Sequence, residues 1–442
     1  MNQKQVNSKL NEIAMQLKSI DIIGLNYMEY LAALIYAIYG IEQEPNNFLI
    51  VKELIYTVQI LDEQLYKIRK NERSEKLFIN IRFREVIKNE NYLIFKNCVL
   101  QMEELVKNTQ EYGKKLIAEA FEDAITKAAK NNEISFQNTE YYTPNEIVKT
   151  MIDLLPIRNN SSIYNPACGV GNFIVESAKL GSIYAFGDES NISNYNICMT
   201  NLWLHNIKNK RIDNIKIDKM PKVDYVVANP PFAINNMQKG DKKLNNMLYK
   251  YGVFENASSY SKFIVMMLES VQEGGKISVV LPHGFLFKKT ISECNLRKYL
   301  VDNGYIEAII SLPEKMFNGT KIPVIILVLQ KKYREEDIIY IDASKEYIKG
   351  RKLNSLSEEN QSKIIKTYEN KSEISNYSIK VGAEIIRKND YNLNIKKYLK
   401  SLKKEKSVNI KTEKQELQRL EEERVVIERK NRGIIKESIR YK

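Results

Sequence analysis

Ser161-Ser162-Ile163-Tyr164-Asn165-Pro166-Ala167-Cys168-Gly169-Val170-Gly171-Asn172-Phe173 is the stretch that decides the fold. Ser161 to Asn165 reads as a short strand, and an apolar stretch from Ile174 to Leu180 reads as a helix. Between them, Gly169 and Gly171 allow a tight strand-to-helix turn and close approach of backbone to a ligand. A Gly-x-Gly by itself is a weak signal. The next segment strengthens it: Gly181 to Gly187 reads as a second strand and ends at Asp188-Glu189. An acid about 20 residues past such glycines, at a strand's carboxyl end, is the usual acceptor for a ribose hydroxyl. Glu189 is therefore the candidate, against the plainer reading of a solvated loop charge.

Further along, Val223 to Ala228 reads as another buried strand and runs into Asn229-Pro230-Pro231-Phe232. Consecutive prolines can neither extend a ladder nor open a helix with ordinary hydrogen bonding. They build a rigid loop whose carbonyls can accept. An amide acceptor at Asn229, a fixed carbonyl and the flat face of Phe232 suit an exocyclic amino group on a planar heterocycle, such as an extruded adenine. The bland alternative is a turn and nothing more.

Working outward, strands are expected at 162–165, 183–187, 223–228, 276–282, 305–312 and 322–330, with helices at 172–180, 190–206, 257–272 and 293–303. That alternation predicts an α/β fold with a doubly wound, mostly parallel sheet. Ligands of such sheets sit beyond the carboxyl ends of the strands, where both loops fall. Thr143-Pro144-Asn145-Glu146 has the form of a capping box opening a helix to Leu155. Residues 1–135 hold a single proline and apolar residues at helical spacing, as in Leu31, Leu34, Ile35 and Ile38, so an all-α N-terminal domain is expected there. The core is expected over 136–335, with an extension over 336–398 that includes a short strand from Ile338 to Ile341. The tail, 399–442, is highly charged. Leu417, Leu420, Ile427 and Ile434 form an interrupted heptad-like seam that predicts a C-terminal helix docking on another subunit, against a merely solvated helix.

Composition narrows the class. The chain has 442 residues and a formal net charge of +13, which favours an anionic partner such as nucleic acid without establishing one. No apolar run is long enough to span a membrane, and the N-terminus lacks a signal-peptide core. Cys98, Cys168, Cys198 and Cys294, with His205 and His283, lack ligand spacing, so neither a metal site nor a disulfide framework is expected and a cytoplasmic setting is.

With these residues in view, the chain resembles the N6-adenine DNA methyltransferases, and more narrowly the methylation (modification) subunits of type I restriction-modification systems. The resemblance covers roughly residues 135–398. Glu140-Tyr141-Tyr142-Thr143-Pro144 is similar to the family segment that lies against the methionine part of S-adenosylmethionine. The stretch from Pro166 to Phe173 is similar to its cofactor loop, and Gly187-Asp188-Glu189 to the segment ending in the ribose acid. Asn229-Pro230-Pro231-Phe232 matches the catalytic motif unchanged. Leu281-Pro282-His283-Gly284, the stretch from Leu312 to Phe317, Ile341-Asp342-Ala343-Ser344 and the stretch from Asn389 to Asn394 match further segments.

The resemblance implies a Rossmann-like methyltransferase sheet in the gamma order of motifs, with S-adenosyl-L-methionine as cofactor. Cofactor contacts would come from Tyr141, Tyr142, Thr143, Pro144, Gly169, Val170, Gly171, Asn172, Glu189 and Asp218, with Asp213 as the rival to Asp218. Asn229, Pro230, Pro231 and Phe232 would be catalytic. It implies double-stranded DNA as substrate, a separate specificity subunit, and room for a second copy and a restriction subunit. Asn165 departs from the family's usual Asp and removes a carboxylate near the cofactor's charged end. A stand-alone adenine methyltransferase, an enzyme acting on RNA or on protein glutamine, and a non-catalytic DNA-binding assembly module are the rival readings.

Overall fold

In the computed structural model, which describes residues 1–20, 26–42, 54–71, 74, 76–109, 112–131, 142–213, 219–232, 240–318, 320, 322–332 and 337–399, a run of helices precedes the first strand. These are α1 (Gln3–Ser19), α2 (Tyr27–Glu42), α3 (Leu54–Asn71), α4 (Phe83–Val86), α5 (Tyr92–Thr109), α6 (Lys115–Lys130) and α7 (Asn145–Asp153). α1 opens on a capping box: the Asn2 side chain accepts from the Gln5 N–H, and Gln5 answers to the Asn2 N–H. Val6, Leu10, Ile13, Ala14 and Leu17 form its buried stripe. The facing surface of α6 carries Ala118, Ala124, Ala128 and Ala129 among its buried residues, which lets helices approach closely. α2 is buried on all sides from Tyr30 to Ile38 and is the centre of this bundle.

The sheet follows: β1 (Ser161–Asn165), α8 (Asn172–Lys179), β2 (Ile183–Asp188), α9 (Ile192–Leu204), β3 (Lys210–Asp213), β4 (Val223–Ala228), α10 (Lys242–Tyr249), α11 (Ser259–Ser270), β5 (Val271–Pro282), α12 (Ile291–Asp302), β6 (Ile306–Ser311), β7 (Val324–Gln330), β8 (Asp337–Asp342), α13 (Glu358–Glu369), β9 (Ser378–Gly382) and α14 (Ala383–Lys388). Among the described residues it has nine strands in the order β3-β2-β1-β4-β5-β7-β6-β8-β9. β3 through β5 run parallel in that order, β7 is antiparallel to both its neighbours, β8 is parallel to β6, and β9 is antiparallel to β8. The expected doubly wound, mostly parallel α/β sheet is what forms. β1 is flanked by β2 on one side and β4 on the other, so the order of strands reverses between β1 and β4. That reversal is where an open α/β sheet has its ligand crevice.

Sequence and structure differ at several places. β3 and β9 are strands where none was expected, and α10 is an unexpected helix. β5 begins at Val271 rather than 276, immediately after α11, because Gly275 lets the strand continue past an irregularity opposite Val223 and Tyr225. The capping box at Thr143 is not formed: α7 is preceded by Pro144, which has no side-chain cap bond, and the Pro144 carbonyl accepts from Ile147 and Val148. The Thr143 hydroxyl is engaged elsewhere. The seam from Leu417 to Ile434 lies outside the described residues. No described helix is long and apolar enough to cross a membrane.

The bundle is joined to the sheet through α9. Glu29 on α2 is 3% exposed and accepts from Ser193 Oγ at 2.5 Å and from Asn196 Nδ2. Asn196 in turn accepts the Phe78 N–H at 2.8 Å. Burial raises the carboxyl of Glu29 above its usual range, and the two donors oppose that rise. Glu29→Ala would strand the buried Asn196 amide, at about 1–3 kcal/mol. Glu29→Gln retains an acceptor oxygen. The alanine variant should therefore melt at the lower temperature of the two by calorimetry, and equal melting would remove Glu29 from the joint.

Candidate functional site

Asn165, the last residue of β1, is fully buried, and its Oδ1 accepts the Ala167 N–H at 3.0 Å, turning the chain out of the sheet. Its Nδ2 is buried with no hydrogen-bond partner among the described residues. The turn is fastened at three further points: Cys168 N–H donates to the Asp188 carbonyl at 2.9 Å, Gly171 N–H to the Cys168 carbonyl at 2.9 Å, and Asn201 Nδ2 to the Val170 carbonyl at 3.1 Å. Gly171 has φ +88°, and a Cβ there would lie 2.9 Å from Cys198 Sγ, so only glycine fits. Gly169 has φ +55°, but a Cβ there would meet nothing within 4 Å. The inner glycine is packed and the outer one faces open space. α8 starts at Asn172 with no side-chain cap.

The Cys168 thiol sits 4.0 Å from Cys198 Sγ. That contact and burial hold it well above the ordinary thiol range, so it is a packing group rather than a nucleophile.

At the end of β2, two adjacent acids take different partners. Asp188, half-buried, accepts from the Tyr164 hydroxyl. Glu189 is 8% exposed, accepts the Asn191 N–H at 2.7 Å and donates its own N–H to the Asp213 carbonyl at 3.0 Å. Asn191 caps α9, so Glu189 is fixed by the start of the helix that carries the Glu29 contacts. The Asp213 carboxylate is paired with Lys76 at 2.8 Å.

The loop after β4 is held from two sides. Asn229 Nδ2 donates to Thr143 Oγ1 at 3.0 Å, and Ser259 Oγ, at the start of α11, donates to the Pro231 carbonyl at 3.0 Å. Using the Asn229 amide nitrogen in this way orients its Oδ1 as an acceptor. Pro230 and Pro231 are buried, and Phe232 is partly buried against the core.

One cavity joins the two loops. It is lined by Tyr142 and Thr143, by Ala167 to Val170 with Asn172 and Phe173, and by Asn229. It is small, about 50 Å³, against roughly 30 Å³ for one liquid water. This narrow passage lies between the glycine turn and the Asn229 loop. The Tyr142 ring lines it while the Tyr142 hydroxyl is bonded to Thr126 Oγ1 on α6 and to Asn145 Oδ1, each at 2.9 Å. Burial pushes that hydroxyl up to about 12.

Thus Tyr142, Thr143, Gly169, Val170, Asn172 and Asn229 meet around one space, with Gly171 behind them. Glu189 stands at the end of the adjoining strand, and Pro144 opens α7 without lining the cavity. Tyr141 and Asp218 lie outside the described residues. Sequence reasoning missed Ser259, which carries no signal in a polar run, and missed the bond from Asn229 to Thr143.

The family model for N-6 DNA methylases matches residues 112–407. The chain belongs to this family. It is 34% identical over 328 residues to the type I restriction enzyme MjaVII methylase subunit of Methanocaldococcus jannaschii, covering 68% of this chain and 55% of that one. It is 34% identical over 312 residues to the MjaVIII methylase subunit of the same organism, covering 64% and 54%. The chain therefore spans about half the length of these curated relatives. In fold it is similar to the crystal structure of the type I restriction-modification methyltransferase subunit from Streptococcus thermophilus, with TM-score 0.67 and 21% identity, covering 89% of this chain and 99% of that one.

At the end of β2, burial raises the Asp188 carboxyl to about 6, opposed by Tyr164 and Arg211. A carboxyl raised on folding contributes stability below its unfolded pKa and loses it as pH rises through the folded value. Asp188→Asn keeps an acceptor for Tyr164 and removes the buried charge. It should be more stable than the parent above pH 6, by on the order of 2 kcal/mol, with the gain gone near pH 4. Parallel denaturation curves at both pH values check this, and a gain of equal size at pH 4 would exclude the ionisation as its cause.

Proposed function

We propose that the chain is an adenine-N6 DNA methyltransferase and the modification subunit of a type I restriction-modification assembly. The observation that carries this reading is the bond from Asn229 to Thr143 across the passage from the glycine loop. It presents an amide oxygen as acceptor at the mouth of a candidate cofactor site. Family membership and the names of the relatives support the same activity, and the word subunit in those names supports a partner.

The residues present fit S-adenosylmethionine. There is open space outside Gly169, an unsatisfied buried donor at Asn165, an acid at the end of β2, and uncapped N–H groups at the start of α8. Gly169, Val170, Gly171 and Asn172 would hold it from below, Glu189 at the ribose, and Tyr142, Thr143 and Pro144 at the aminoacyl end, with Tyr141 and Asp218 added from the sequence. When bound, it supplies an electrophilic methyl group on a sulfonium.

The chain's own task is to make a poor nucleophile act. The N6 lone pair of adenine is delocalised into the ring. Asn229 Oδ1 and the Pro230 carbonyl accept the two N6 hydrogens, favour a more tetrahedral nitrogen and aim its lone pair through the passage. Phe232 stacks on the extruded base, and Pro231, pinned by Ser259, keeps these groups in register. Proximity and orientation make up most of the catalysis. The proton lost from N6 after transfer goes to solvent and needs no fixed base.

Transfer of labelled methyl from S-adenosylmethionine to unmodified duplex DNA should appear when the chain is combined with a neighbouring specificity subunit, and should be absent for the chain alone. Activity of the chain alone would mean that it reads DNA itself. Asn229→Ala should lower transfer at least about 10²-fold, in the range for lost positioned polar groups, with cofactor affinity by calorimetry within about 2-fold of the parent. Glu189→Ala should instead weaken that affinity about 10-fold, the worth of one charged hydrogen bond. Full transfer by Asn229→Ala would refute the catalytic assignment.

A further inference from the structure

β5 pairs with β4 in parallel, Val279 opposite Ala228, so Val280 lies level with Asn229. β5 then continues to Pro282, about 7 Å further at ~3.3 Å per residue. The loop that follows therefore stands above the Asn229 turn on the ligand edge of the sheet. It is braced there. Phe285 and Leu286 are fully buried, Arg297 Nη1 donates to the Phe285 carbonyl at 2.9 Å, and the Leu393 N–H donates to the Leu286 carbonyl at 2.9 Å. Phe285 also packs edge-on to Tyr260, the neighbour of the Ser259 that pins Pro231. The catalytic turn and this loop share one support.

What the braced loop shows to solvent is unusual. Phe287 is 43% exposed, Lys288 and Lys289 are exposed beside it, and Ile291 is 70% exposed. Phe254, 42% exposed, joins the same rim, because its N–H donates to Ser292 Oγ at 3.1 Å. The Lys288 backbone is fixed by its N–H to the Gly284 carbonyl at 2.9 Å. Among the described residues no carboxylate pairs with Lys288 or Lys289. An exposed apolar patch beside two lysines that have no carboxylate partner among the described residues suits a surface that offers both apolar faces and negative charge.

We propose that this rim, Phe254, Phe287, Lys288, Lys289 and Ile291, is where the duplex flanking the extruded adenine is held. The inference rests on the methyltransferase reading and deepens it. An extruded nucleotide stays tethered to its own strand, so the surface bordering the base pocket must face the adjacent phosphates, sugars and the disturbed stack. The two lysines meet phosphates. Phe287 and Ile291 cover the apolar faces exposed when the base leaves, as apolar wedges do at unstacked steps.

The test is the salt dependence of binding of the full chain to a fluorescein-labelled duplex of random sequence, with cofactor binding by calorimetry as the folding control. Each phosphate neutralised contributes about 0.9 to the slope of log affinity against log salt. The double variant Lys288→Ala, Lys289→Ala should lose about 2 from that slope and bind at least about 10-fold more weakly at low salt. Phe287→Ala should weaken binding with the slope unchanged. An unchanged slope in the double variant, or no duplex binding by the parent chain, overturns the proposal. So does loss of association with the specificity subunit in the absence of DNA, which would make the rim a protein interface. If the slope falls as expected while the parent with its partner transfers no methyl group, the DNA surface stands and the enzymatic reading fails.

Discussion

The parallel pairing of β1 with β4, Ile163 opposite Tyr225 and Tyr164 opposite Val226, brings the glycine turn next to the Asn229 loop, and the other groups of the site are fastened to these two. It is locked at the far end of the strands. Asp224 Oδ2 accepts from both the Ser162 N–H and the Ser162 hydroxyl, at 2.8 and 2.7 Å, and the Asp224 N–H returns a bond to Ser162 Oγ at 2.9 Å. A slip of one residue would turn every side chain of β4 to the other face of a sheet buried on both sides. With the register fixed below, β1 turns out of the sheet at Asn165, level with Val227, and the Asn229 loop leaves the neighbouring strand two residues higher. Because the strand order reverses at this pair, the two loops diverge to opposite sides and leave a crevice rather than colliding.

The crevice is built mainly from neutral polar groups and backbone. Ionisable side chains around it are either buried and held neutral, as with Tyr142 and Tyr164, or tied down, as with Glu189. Groups of this kind orient a ligand through hydrogen bonds rather than through strong fields. Asn165 fits this pattern. Its amide can both shape the turn and offer a donor, where a carboxylate could only accept.

Legibility followed burial. The strands read from sequence, at β1, β2, β4, β5, β6, β7 and β8, are apolar runs in the sheet interior, where side-chain packing and composition agree. The two that escaped, Lys210-Arg211-Ile212-Asp213 and Ser378-Ile379-Lys380-Val381-Gly382, are the edge strands. Their extended state is imposed by one neighbour rather than by their own residues, three of four being charged in β3. The loops of the site were legible because glycine and proline act locally: φ +88° at Gly171 and the rigid Pro230-Pro231 turn are properties of single residues. The contacts that complete the site were not, since Thr143 to Asn229 spans 86 positions and Ser259 to Pro231 spans 28. The local pattern at Thr143 is that of a cap, but a distant amide takes its hydroxyl instead.

The Tyr142 hydroxyl, clasped by Thr126 of α6 and by Asn145, makes the passage and the helical bundle mechanically continuous. Tyr142 adjoins Thr143, and Thr143 steers Asn229. A tilt of α6 would pull on the residue next to that steering bond, and anything that stiffens the passage would in turn resist the tilt. By linkage the two effects are equal in free energy. The tyrosine ring that borders the cleft is thus anchored in the bundle, not in the sheet.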